Sequence, residues 1–376
     1  MPTSDVVVLG AGVIGAAVGW RCAQRGLAVT LVDPGGTRGA WHTAAGMLAP
    51  VTELHYTETT LLRLNLDSLA RYQGFAAEVS DDSGRPTGYE ASGTLQVAWD
   101  AADLATLRDL HAFAATLGVA TELIGGRRLR ELEPVLAPGL PGGLLANDDH
   151  QVDPRLLHAA LLAAARRRGV HVVESHGAVL VDRDRARGVR VTGGSVISSS
   201  HVVLAAGSWS GLVDGVPTAA VLPVRPVKGQ TLRLRLPGRP RLRRVLRAAV
   251  KGSPVYVVPR ADGQLVVGAS TEEKGFDQQP RAGAVYELLR DAQTIVPELS
   301  EAVLEEVSTG LRPGTPDNAP IVGPTGVDGL VAATGHYRNG ILLTPVTADG
   351  VAALIGDGTL PDVLTPFSPA RFGAAS

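Results

Sequence analysis

The sequence predicts an α/β protein: a Rossmann-like nucleotide-binding domain that recurs in pieces, with a second domain inserted between them. Three observations carry this. The chain opens on an apolar run, a glycine turn and a small-residue helix. The same strand-then-loop pattern returns in pieces far apart in the chain. Between the pieces lie segments of alternating pattern, such as the hairpin at 256–270. At 376 residues the chain is too long for one ordinary core.

Residues 5–33 read DVVVLGAGVIGAAVGWRCAQRGLAVTLVD. Val6–Leu9 are apolar without alternation, as in a parallel strand covered on both faces. Gly10, Gly12 and Gly15 follow with G-x-G-x-x-G spacing, then a helix to about Arg25, with Gly26 placed to end it. Ala28–Val32 read as a second strand. Gly10 permits the tight turn, Gly12 admits a pyrophosphate close to the backbone, and Gly15 lets the helix lie on the sheet. The helix N-terminus offers free N–H groups to the phosphates. Asp33 ends the second strand, where a carboxylate takes ribose hydroxyls and repels a 2′-phosphate. The order specifies a dinucleotide but does not separate FAD from NAD.

The rest of the nucleotide pattern makes that choice. GGTRGAWHTAAGMLAP (35–50) is a Gly/Ala-rich loop whose N–H groups can meet a cofactor. DPRLLHAALLAAARRRG (153–169) reads as a helix with Asp153 as N-cap and Pro154 at its first position, ending at Gly169. The strand VHVVE (170–174), then GAVLVDRD, and the apolar strand in HVVLAAGSWS (201–210) follow. GLVAATGHYRNGILLTPVTADGVAALIG (329–356) gives strand, glycine loop and helix once more, the helix expected from Ile341 onward. A nucleotide domain revisited this often suits a cofactor long enough to span the sheet, which FAD is.

Composition excludes other classes. Lys and Arg total 35, Asp and Glu 37, for a net charge of −2, so charge points to no nucleic-acid partner. The basic run RLPGRPRLRRVLR (235–247) holds Pro237, Gly238 and Pro240 and no aromatics, and is expected to be a solvated hairpin rim. Cys22 is the single cysteine, so no intrachain disulfide forms. No leader-type segment and no apolar run of membrane-spanning length is visible, so a cytoplasmic location and no membrane contact are expected. His171, His176 and Asp182 lack metal-ligand spacing, and no metal is expected.

The motifs LGAGVIGAAVG, AAGMLAP, DDHQVDPRLL, VVLAAGSWSG, P-V-K-G-Q (226–230), YVVPRADGQLVVGAS, GLRPGTPDNAPIVG and GHYRNGILLTP together resemble the flavin-dependent D-amino-acid oxidase superfamily. Within it they resemble the glycine oxidases of thiamin biosynthesis, collinearly over nearly the whole chain. The resemblance implies a non-covalent FAD and oxidation of glycine, or of other small primary or secondary amines or D-amino acids. Hydride would leave Cα for flavin N5, O2 would become H2O2, and the imine would yield glyoxylate and ammonia or pass to a thiazole synthase. A homotetramer is also implied, as is an α+β fold overall in which the Rossmann-like FAD-binding domain carries an inserted, discontinuous antiparallel-sheet substrate domain. Cofactor contacts carry over to Gly10, Gly12, Val13, Ile14, Gly15, Asp33, Pro34, Ala45, Gly46, Met47 and Val179 (the adenine). A further run carries over to His336, Tyr337, Arg338, Asn339, Gly340, Ile341 and Leu342. Arg312, Arg338 and Tyr256 match the catalytic and substrate-binding positions.

The chemistry of those side chains agrees. A substrate carboxylate must be held while Cα faces the flavin, and the planar fork of arginine takes two carboxylate oxygens at once. Arg312 stands before Pro313 and Gly314, and Tyr256 lies in the strand PVYVVP. Gly335 and Gly340 let backbone approach the ring, and Arg338 can face either the substrate carboxylate or the reduced flavin. No general base is needed if the amine reacts neutral, so orientation and desolvation do the work. Trp41-His42, Pro254 and Thr271 depart from the subgroup's pattern. A sarcosine or D-amino-acid oxidase or dehydrogenase, or a non-catalytic flavin-binding subunit, are the alternatives; Cys22 is too early for flavin attachment through a late cysteine. The FAD-binding domain is expected at 1–90, 150–222 and 308–376, the substrate domain at 91–149 and 223–307.

Overall fold

The structure is a computed structural model and describes residues 3–238 and 242–373. In chain order, β1 (Thr3–Leu9), α1 (Val13–Gln24) and β2 (Val29–Asp33) precede α2 (Ala40–Thr43), β3 (Met47–Leu48) and α3 (Thr59–Ser83). Next come β4 (Thr94–Ala98), α4 (Ala101–Thr116), β5 (Glu122–Gly125), α5 (Gly126–Leu132), β6 (Gly142–Ala146) and β7 (His150–Gln151). They are followed by α6 (Pro154–Arg167), β8 (His171–Glu174), β9 (Gly177–Asp182), β10 (Arg185–Val191) and β11 (Val196–Leu204). The strands β12 (Arg225–Arg235), β13 (Val245–Val250), β14 (Ser253–Pro259) and β15 (Gln264–Gly268) lead to α7 (Ala282–Ile295). Then β16 (Val303–Gly314), β17 (Ile321–Pro324), β18 (Leu330–Thr334) and α8 (Thr344–Asp357) complete the set.

Two eight-stranded sheets organise these elements. The first runs β17-β18-β11-β1-β2-β8, with β10 and β9 branching from β11. Its central pairs are parallel, as both-face burial of Val6, Val7 and Val8 requires. Helices α1, α3, α6 and α8 pack together over one of its faces. Asp153 caps α6 as its sequence predicts, its carboxylate accepting the N–H groups of Arg155 and Leu156. The second sheet runs β16-β12-β15-β14-β13-β4-β6-β5, with α7 packed against it. It is antiparallel except where β13 meets β4, two strands delivered by separate excursions of the chain. A small cluster of Ala45, Val245, Val258 and Val266, with Met47 and Tyr256 against it, lies where the nucleotide loop meets the second sheet.

Three expectations change. The helix expected from Ile341 starts at Thr344, and 337–343 are turns. Pro345 explains this: its ring fits the first turn of a helix, whereas a start at Ile341 would put it where an N–H to the Ile341 carbonyl is needed. The domain boundary expected at 307/308 falls inside β16, which pairs with β12 from Val303 to Gly314. Arg312 therefore belongs to the second sheet. The basic run 235–247 is not a hairpin rim, because β15 and β14 lie between β12 and β13, and Arg247 is part of β13. Its Pro240 lies outside the described residues. Among the described residues no helix is long and apolar enough to cross a membrane, and no cluster of metal-ligating side chains occurs.

Candidate active site

The dinucleotide bed is built by backbone. Gly10 has φ +106°, and a Cβ built there overlaps the Ala205 carbonyl, so glycine is required. Gly12 supplies no side-chain cap to α1, which leaves the N–H groups of Val13, Ile14 and Gly15 without intrahelical acceptors. The nearest atom to a Cβ built on Gly12 is Trp41 Cδ1 at 3.6 Å. The Asp33 carboxylate holds the turn, accepting the N–H groups of Ala11 and Gly35 at 2.7 Å each. It keeps lone pairs for ribose hydroxyls, with Pro34 exposed beside it. Val179 is buried in β9, its N–H donated to the Asp214 carbonyl at 2.8 Å.

The loop 43–47 and the turn 336–342 form a second set of backbone donors. Arg260, almost fully buried, fixes the loop by donating to the carbonyls of Ala45 (2.5 Å) and Val152 (3.3 Å) and to Gln151 Oε1 (2.9 Å). Burial lowers its guanidinium to about 10, which leaves it charged. Two side chains of α3 fix the turn: Ser68 donates to the Leu342 carbonyl at 2.7 Å and Tyr72 to the Ile341 carbonyl at 3.1 Å. With those carbonyls pinned, the N–H groups of Arg338, Gly340, Ile341 and Leu342 meet no acceptor among the described residues. Asn339 bonds back to the His336 carbonyl at 2.9 Å. His336 is buried against the Thr347 hydroxyl at 3.0 Å, and burial pushes its imidazole down to about 3, so it is neutral and no proton carrier.

The second sheet turns one face toward this turn and loop. Register aligns Gln96, Arg247, Tyr256, Gly268, Thr231 and Ser308 across it, and paired residues share a face. Thr231 donates to the Thr43 carbonyl at 2.9 Å, which sets that face against the nucleotide loop. Arg312 lies on the same face, two residues beyond Gly310. Its guanidinium occupies the space above Gly229 and donates to the Ser270 carbonyl at 3.1 Å. The Tyr256 hydroxyl occupies the space above Gly268. Burial pushes that hydroxyl up to about 12, the Arg312 charge pulling partly the other way. Tyr256 and Arg312 are thus brought together. Arg338 is exposed and pairs with Glu58 at 3.7 Å.

A bed of free N–H groups at a helix start, the Asp33 carboxylate beside it and a second row of free donors fit FAD, whose two ends need both. Residues 5–354 match the family model described as DAO, FAD dependent oxidoreductase. The chain belongs to this DAO family. The bifunctional protein ThiO/ThiG of Synechocystis sp. is 35% identical over 374 residues, covering 98% of this chain and 54% of that protein. The chain therefore spans about half the length of that relative. Hydrogen cyanide synthase subunit HcnC of Pseudomonas aeruginosa is 30% identical over 408 residues, covering 98% of this chain and 96% of it. The crystal structure of glycine oxidase from Geobacillus kaustophilus superposes with a TM-score of 0.91 at 32% identity, covering 99% of both chains.

Within this DAO-family frame several residues escaped the sequence reading. Ser68, Tyr72 and Arg260 position the backbone donors from more than 100 residues away. His158 donates its Nε2–H to the Ala11 carbonyl (2.8 Å) and stacks on Trp41 with ring centroids 3.7 Å apart. Trp41 therefore packs above the glycine turn. Only the helix periodicity of α6, which turns His158 toward α1, gave a hint of this. Arg247 and Glu53 form an ion pair of 2.6 Å beside Met47.

Proposed function

We propose that the protein is an FAD-dependent amine oxidase that oxidises glycine and other small primary or secondary amines or D-amino acids to the imine, releasing H2O2. The observation that carries this is Tyr256 and Arg312 on one sheet face, turned toward the nucleotide loop. FAD, when bound, supplies the acceptor for the hydride leaving Cα and hands the electrons to O2. Every other part falls to the chain. The Arg312 fork takes the substrate carboxylate, and Tyr256, protonated up to about pH 12, donates a further hydrogen bond to it. Arg338, freed from Glu58, closes over the carboxylate or the flavin. The remaining contacts assigned by sequence, from Gly10 to Met47, at Val179 and from His336 to Leu342, hold the cofactor. Neutral His336 faces Thr347, so the site works by orientation and exclusion of water rather than by a base.

The similarity to ThiO/ThiG supports a hand-off of the imine to a thiazole synthase, and a homotetramer is the proposed assembly. The near full-length likeness to HcnC favours a second reading, in which electrons leave through a partner subunit instead of O2. The test is a spectrum of the purified protein, then anaerobic addition of glycine, sarcosine and D-alanine, then H2O2 release in air. Bleaching by glycine with peroxide supports the proposal, and bleaching without peroxide supports the partner reading. A flavoprotein that no amine reduces would sink both.

A further inference from the structure

Arg312 is not the only guanidinium on the substrate-facing sheet. Arg247 sits directly across from Tyr256, on the side away from Arg312, with Gln96 as its other neighbour. Its Nη1 is taken by Glu53 Oε1 at 2.6 Å and touches Met47 Sδ at 3.5 Å. Glu53 is itself held in place, because the preceding turn is clamped: buried Asp149 accepts from the N–H groups of Val51 and Thr52 and from the Thr52 hydroxyl. The ion pair thus fixes Arg247 by one corner of its guanidinium. The Nε–Nη2 edge has no acceptor among the described residues, and the Arg247 side chain as a whole is 21% exposed. That edge is the two-pronged donor a carboxylate fits. The Gln96 carboxamide lies in the adjacent strand position, and its Nε2, which has no acceptor among the described residues, is a further donor for such a carboxylate.

We infer that Arg247, with Gln96 beside it, is a second carboxylate subsite, so that the enzyme accepts amines carrying a further carboxylate. Turnover of such amines rests on the amine-oxidase reading; the carboxylate binding itself does not. Arg312 reaches over β12 and Arg247 stands on β13, three strand spacings or roughly 14 Å away in backbone. Two forks reaching inward from there suit a chain of several atoms between carboxylates, and not the shortest dicarboxylate. Amino acids with a side-chain carboxylate, or N-carboxyalkyl amines, have that form.

The test is calorimetric titration of the FAD-loaded protein with non-oxidisable probes, succinate and glutarate against propionate and butyrate. The dicarboxylates are expected to bind about tenfold tighter or more, one charge-assisted contact. Arg247→Gln should collapse that ratio toward one. The double variant Glu53→Gln/Arg247→Gln, which leaves no lone carboxylate behind, should do the same. A wild-type ratio near one overturns the inference. So does a parallel loss of both ligand classes at constant ratio, since Arg247 would then only support Glu53. A preserved preference in a protein that oxidises no amine supports the subsite while rejecting the activity, and peroxide from glycine with no preference rejects the subsite alone.

Discussion

The backbone N–H of Tyr337 is bonded to the carbonyl of Pro313 at 3.0 Å. This one bond joins the turn bearing Arg338 to the residue that follows Arg312. The two motifs most specific in the sequence, GLRPGTPDNAP and GHYRNG, are therefore one structural unit made from two sheets. Displacement of either shifts the other, so the carboxylate fork and the free N–H groups of the turn keep a fixed relation.

Arg312→Lys is expected to raise apparent KM for glycine by roughly tenfold or more while FAD content is retained. The lysine ammonium keeps the charge but loses the fork, at about 1.5–3 kcal/mol for one charge-assisted hydrogen bond. Steady-state kinetics with the visible-to-ultraviolet absorbance ratio of the purified variant checks this. A variant with unaltered KM would remove Arg312 from substrate binding.

Tyr72→Phe tests the turn from behind. It removes the donor to the Ile341 carbonyl and leaves that buried acceptor unpaired, a cost of about 1–3 kcal/mol. The N–H groups of 340–342 then lose their fixed direction. Titrating FAD into the apoprotein should show weakened binding by several-fold, together with a lower Tm. Equal FAD affinity at lower Tm would make Tyr72 a core residue only.

What could be read ahead of the structure was local. Gly10, Gly15 and the Asp153–Pro154 cap act on neighbours within a few residues, and their spacing carried the dinucleotide bed. The start of α8 was misplaced because Ile341–Leu343 look like a helix face, whereas Pro345 dictates where the first turn can fall. Arg260, Ser68, Tyr72 and the Glu53–Arg247 pair were invisible for a different reason. Each acts on partners 108 to 274 residues away, and nothing in a single chain's pattern marks such a pair. Arg247 was read as part of a solvated basic run, although strand register puts it across from Tyr256.

Gly229→Ala probes the substrate fork without removing a polar group. A Cβ built at Gly229 overlaps the guanidinium of Arg312, which is the far end of a flexible side chain. The fold should yield by moving that guanidinium, so Tm changes little while KM rises several-fold with kcat less affected. If KM holds and Tm falls by many degrees, Arg312 is rigidly packed and the strand has moved instead.

Asp149 gives the fold a pH dependence of known sign. It is fully buried, and loss of hydration raises its carboxyl from 3.8 to about 6, with the Thr52 donors opposing. An acid raised on folding binds its proton more tightly in the native state. Between those values the native protein therefore holds more protons than the unfolded chain, and stability falls as pH rises. The contribution is complete below the unfolded value and lost above about 6, with an upper bound of roughly 3 kcal/mol. Asp149→Asn removes the titration, at the cost of setting an amide N–H against the Val51 N–H. Chemical unfolding of both proteins in excess FAD from pH 4 to 7 cancels every other titrating group. The stability gap in favour of the wild type should narrow as pH rises; a gap that stays constant would mean that Asp149 titrates alike in both states, its three donors offsetting the whole cost of burial.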